Sequence, residues 1–88
     1  MTDKKVVPMI TPVQLRKWTA DVEGRIARLK AVLATEEYQA QAFTDSGRLD
    51  AVEPIKVNIV EIKRIINMNE ELLKKIRADL KKAEEKDK

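Results

Sequence analysis

The chain has 88 residues, 38% of them charged and 43% hydrophobic, with 18 basic against 15 acidic side chains and a net charge of +3. One domain is the ceiling at this length. There is no cysteine and no histidine, and the glycines are Gly24 and Gly47 alone, which excludes disulfide scaffolds, thiolate or imidazole metal sites, nucleophile–base triads, phosphate-cradling loops and dinucleotide fingerprints. No catalytic residue, metal ligand or cofactor is therefore expected. No apolar run approaches the roughly 18 residues that span a bilayer, so no membrane partner is expected and a cytoplasmic location is the default.

Residues 1–10 read as an extended arm, because Pro8 and Pro12 disfavour helix in the residue before each. Its apolar part, with Val7, Met9 and Ile10, is a candidate docking segment. Such a segment can lie in a neighbour's groove or strap its own fold. Thr11-Pro12-Val13-Gln14 is a helix start: Thr11 caps, Pro12 takes the first helical position where a missing N–H costs nothing, and Gln14 completes a capping box.

From about residue 12 to 43, Leu15, Trp18, Val22, Ile26, Leu29 and Leu33 recur at three- and four-residue steps, the signature of one helix face. Glu36 interrupts this stripe, and Ala40 and Phe43 resume it. Tyr38 lies off the stripe and is a candidate anchor for a partner. Gly24, in mid-helix, costs about 1 kcal/mol relative to alanine and is read as a close helix approach or a partner's contact.

Thr44-Asp45-Ser46-Gly47 is turn chemistry, with Gly47 suited to a left-handed helix cap. Asp50-Ala51-Val52-Glu53 has capping-box form, but Pro54 would then fall inside the helix and cost a hydrogen bond. The connection is accordingly set at about 44–54 and the second helix at about 55–85, with a charged tail at 86–88. In that helix Ile55, Ile59, Ile62, Ile66, Asn69, Leu73, Ile76, Leu80 and Ala83 follow a strict four–three spacing, with Ile65 and Leu72 forming a second apolar row.

Together these elements predict an all-α fold: two long antiparallel helices behind a short extended arm. Pairing them about the turn sets Phe43 near Ile55, Leu33 near Ile65 and Ile66, Leu29 near Asn69, and Trp18 near Leu80. One hairpin covers one strip of each helix, so the second row calls for association into a four-helix bundle or higher oligomer. The expected interface is Ile59, Ile62, Ile65, Ile66, Asn69, Leu72, Leu73 and Ile76, with Asn69 pairing with its symmetry mate to fix the register. The alternative is that the arm and the Leu49–Val52 stretch fold over the extra row.

The function expected is that of a non-enzymatic, self-associating interaction protein: a small adaptor, chaperone or inhibitor of a larger complex, whose partners are itself and another protein. The rival is a nucleic-acid-binding regulator using Arg16, Arg25, Arg28, Lys63 and Lys74. Against it, Asp21–Arg25, Glu70–Lys74 and Glu71–Lys75 have the spacing of helix-stabilising ion pairs that answer much of the charge. A third reading is a small oligomer, similar in scale and shape to phage-encoded helical proteins, holding a ligand between protomers.

Overall fold

A computed structural model describes residues 10–86. Val7 and Met9 of the expected arm and the last two tail residues lie outside the described residues. The chain is an all-α hairpin: α1 (Pro12–Asp45) packs along α2 (Leu49–Lys86), with no strand among the described residues.

α1 starts where its capping box predicts. The Gln14 N–H donates to the Thr11 hydroxyl at 3.2 Å and the Thr11 N–H donates to the Gln14 side-chain carbonyl at 3.1 Å, with Pro12 in the first turn. Two otherwise unpaired donors are thus satisfied. At the other end Gly47 has φ of 77°, the left-handed conformation that glycine adopts without a Cβ penalty. This lets the Arg48 N–H donate to the Phe43 carbonyl at 2.8 Å and the Gly47 N–H to the Thr44 carbonyl at 3.1 Å, the paired closure of a Schellman motif. The Arg48 guanidinium lies 5.6 Å from the Phe43 ring centre, covering the turn.

The connection is far shorter than the 44–54 expected from sequence. α2 begins at Leu49, leaving Ser46, Gly47 and Arg48 between the helices. Pro54 is inside the helix, and its missing N–H leaves the Asp50 carbonyl without an intrahelical donor. Val52 is the counterweight: at 3% exposure it is a core residue that only a helical first turn brings to the seam. Burying a valine contributes about 1.5–3 kcal/mol, of the same size as the roughly 3 kcal/mol that proline costs inside a helix. Leu49 is exposed, so the stretch does not fold back over the second apolar row.

Both helices meet along a four–three seam. In α2 it contains Val52, Ile66, Asn69, Leu73 and Ile76, buried, and Ile55, Ile59, Ile62, Leu80 and Ala83, partly buried. In α1 it contains Leu15, Val22 and Ile26, buried, and Thr19, Leu29, Leu33, Glu36, Ala40 and Phe43, partly buried. Trp18 is not in it. Thr19 takes that place, its hydroxyl donating to the Leu15 carbonyl at 2.9 Å, and Trp18 stands beside the seam, 42% exposed. Glu36 stays in register and accepts a hydrogen bond from the Asn58 amide at 3.2 Å.

The molecule measures 66 × 30 × 14 Å with a radius of gyration of 19.8 Å, whereas a compact chain of this length would have about 12 Å. The described residues form one helix layer. Gly24 marks no close helix approach: a Cβ there would meet only the tip of Arg28, at 3.5 Å. Gly24→Ala is therefore expected to raise unfolding free energy by about 0.5–1 kcal/mol, and Gly47→Ala to lower it by about 1 kcal/mol or more. Urea midpoints decide this; an early-unfolding Gly24→Ala chain would contradict the packing described.

Candidate interaction surface

A seam between two helices has two flanks, and here they differ in chemistry. On the first flank lie the residues that directly follow a seam position: Arg16, Glu23, Lys30 and Glu37 in α1, and Lys63, Glu70, Arg77 and Glu84 in α2. They pair across the seam as Arg16–Glu84 at 2.9 Å, Glu23–Arg77, Lys30–Glu70 at 3.5 Å and Glu37–Lys63 at 3.9 Å. The partners step in sevens along both helices, in opposite directions and with alternating sign. Each pair is exposed, and such pairs contribute roughly 0–1 kcal/mol, so the ladder's effect is on register. Sliding one helix by seven residues keeps the apolar spacing matched but sets Arg16 on Arg77, Glu23 on Glu70 and Lys30 on Lys63.

The ladder was legible in the alternating charges seven apart, but only once both helices are aligned. The expected intrahelical pairs do not form. Glu70 reaches Lys30 instead, Glu71 pairs with Lys74 at 3.4 Å, and Lys75 pairs with Asp79 at 3.5 Å. Arg25 donates to the Asn69 side-chain carbonyl at 3.1 Å, not to Asp21.

The second flank holds the residues that directly precede a seam position: Trp18, Arg25 and Val32 in α1, and Asn58, Ile65, Leu72 and Asp79 in α2. No ladder closes it. At one end it opens into a cleft of about 380 Å³ lined by Ile10, Leu15, Trp18, Val22, Leu72 and Ile76, with Asp21, Arg25, Lys75 and Asp79 at its rim. Next to it, Met68, one turn from Leu72, extends the apolar strip. This side carries Ile10, Trp18, Val32, Met68 and Leu72, all exposed large hydrophobics. Glu61, at the strip's edge, hydrogen-bonds Arg64, and that bond with the guanidinium's charge holds its carboxyl below the usual carboxylate range and raises Arg64.

The residues expected to hold copies together are largely used within one chain. Ile66, Asn69, Leu73 and Ile76 are buried against α1, and Ile59 and Ile62 are partly buried in the same seam. A second chain has access to Ile65 and Leu72. Asn69 is buried and engaged within one chain: one amide N–H donates to the Ile65 carbonyl at 2.8 Å and its oxygen accepts from Arg25 at 3.1 Å. Tyr38, 75% exposed, sits midway between the seam residues Glu36 and Ala40, on the face of α1 opposite α2. Of the basic residues, Arg16, Lys63 and Lys74 are ion-paired and Arg25 holds Asn69. Among the described residues Arg28 has no ion-pair partner.

Among the described residues no helix is long and apolar enough to cross a membrane, and no acidic cluster is arranged to hold a metal ion. In comparisons with known proteins no family model matches the chain, and neither a curated protein nor a solved structure does.

The ladder has a direct test. Glu23→Arg is expected to lower stability by up to about 1 kcal/mol, more at low salt than at high salt, and Arg77→Glu added to it to restore most of the loss. Urea midpoints at two salt concentrations measure both. Equal stability of the single and double variants would show that this pair carries no register information.

Proposed function

We infer that this chain is a non-enzymatic protein-interaction module, a small adaptor, chaperone or inhibitor of a larger complex, whose working surface is the open side of the hairpin. The observation that carries the reading is the asymmetry of the two flanks. One is closed by cross-helix ion pairs, while the other exposes Trp18, Val32, Met68 and Leu72 beside a cleft. A contiguous apolar strip with a charged rim is the anatomy of a protein-docking surface, with an aromatic anchor at one end. The exposed Val13 and Tyr38 in α1, and the pair Val57 and Val60 one turn apart in α2, stand on other faces, away from that cleft.

Catalysis finds no support in the same geometry. The cleft is open to water and its rim charges stand singly or, like Lys75 and Asp79, in exposed ion pairs, whereas acid–base work needs groups positioned in a water-excluding site. A cytoplasmic setting fits this reading and is part of the proposal.

Capture experiments with the tagged chain test the function. A partner protein from the native host is expected to be retained by the wild type and by Tyr38→Glu, and lost with Leu72→Glu, while circular dichroism shows the hairpin intact in all three. Loss with Tyr38→Glu alone would place the surface on the wrong side. Nucleic acid held at physiological salt, and released by Arg28→Glu rather than Leu72→Glu, would replace the reading with the nucleic-acid one.

A further inference from the structure

We propose that the open side is occupied by a second copy of this chain, with α2 lying antiparallel on α2 of the copy about a two-fold axis at Met68. This rests on the open side being a docking surface and names what docks there.

The first support is a second four–three row on α2. Asn58, Glu61, Ile65, Met68, Leu72, Lys75 and Asp79 repeat the seam's spacing on the open side, the pattern that lets a helix pack against another helix. The row's own residues are apolar at its centre, where Ile65, Met68 and Leu72 lie and the Arg64 guanidinium donates to the Met68 sulfur at 3.5 Å, and polar at both ends. Met68 and Leu72 are exposed and Ile65 is partly buried in the single hairpin.

The second support is the sign of those ends. Glu61 lies seven residues before Met68 and Lys75 seven residues after it. An antiparallel copy centred on Met68 therefore sets each Glu61 level with a Lys75 of the other chain, at both ends of the contact, and stacks Ile65 of each chain on Leu72 of the other. A parallel copy of the helix would set Glu61 on Glu61 and Lys75 on Lys75. Within one hairpin Glu61 is engaged by Arg64 and Lys75 by Asp79. Both are exposed intrahelical pairs that lose little on re-pairing.

The third support comes from α1. The Lys30–Glu70 rung puts the level of Met68 near residue 30 of α1. The same axis then carries Trp18 toward the exposed Ala42 of the copy and lays the Arg28 stem beside Val32. Both apolar groups of α1 on the open side find cover. The product is a four-helix bundle in which the ladders face outward.

The chain holds no cysteine, so Met68→Cys creates a single thiol on the proposed axis. Under mild oxidation it is expected to form a covalent dimer readily, whereas Val57→Cys, on another face, is not. Glu61→Lys and Lys75→Glu are each expected to weaken dimerisation in sedimentation by about tenfold, since the two-fold doubles each like-charge contact, and the double variant to recover it. Residues 61 and 75 are 14 apart on one helix and never meet within a chain, so recovery reports the contact between copies. A wild-type chain that stays monomeric at millimolar concentration would overturn the proposal and leave the docking reading to the capture experiment. A dimer indifferent to all these changes would overturn the arrangement.

Discussion

Everything in this hairpin depends on one constraint: among the described residues, two helices share a single four–three seam and only Ile10, at the cleft, joins them from outside. The seam buries Leu15, Val22, Ile26, Val52, Ile66, Leu73 and Ile76, yet among the described residues no side chain is fully enclosed. A sheet of two helices 14 Å thick has a line of contact and no interior, so each flank of that line must be closed by other means or left open. Stability in such a fold comes mainly from matched apolar pairs rather than from helix propensity.

The two flanks answer that constraint in opposite ways. On one, alternating charges in both helices form rungs that are each weak but jointly reject a slipped alignment. On the other, Ile65 and Leu72 face Trp18 and Val32 with no charge pairing between them. Asn69 links the two demands: it occupies a seam position, donates one amide N–H to the Ile65 carbonyl, and draws Arg25 across the seam. The polar residue in the seam is thus engaged in the fold of one chain. Function is then left to the open flank, where apolar area and a mixed-sign rim coincide.

Much of the fold was legible in the sequence because periodicity is a local property. The Thr11–Gln14 capping box and Gly47 marked the start and end of α1, and the isoleucine spacing gave the seam of α2 residue by residue. Where the reading failed, a competing contact decided. Pro54 reads as a helix boundary, but Val52 gains enough by burial to draw the helix start back to Leu49. Trp18 reads as core by its three-residue step from Leu15 and four-residue step to Val22, but Thr19 holds the position that keeps the alternating four–three step. Gly24 reads as a packing contact, and it faces only the flexible end of Arg28. The candidate surface was half visible: Ile65 and Leu72 stand out as a second row, while their assignment to an open flank needs the ladder on the opposite side.

The central claim is that the flank carrying Trp18 is the one that becomes covered. Trp18 is the chain's one tryptophan, so its quenching by acrylamide reads that flank directly. As protein concentration is raised through the range where sedimentation shows larger species, the account predicts that quenching falls in step with assembly and the emission shifts to the blue. Assembly that leaves Trp18 as accessible as in the dilute chain would contradict it.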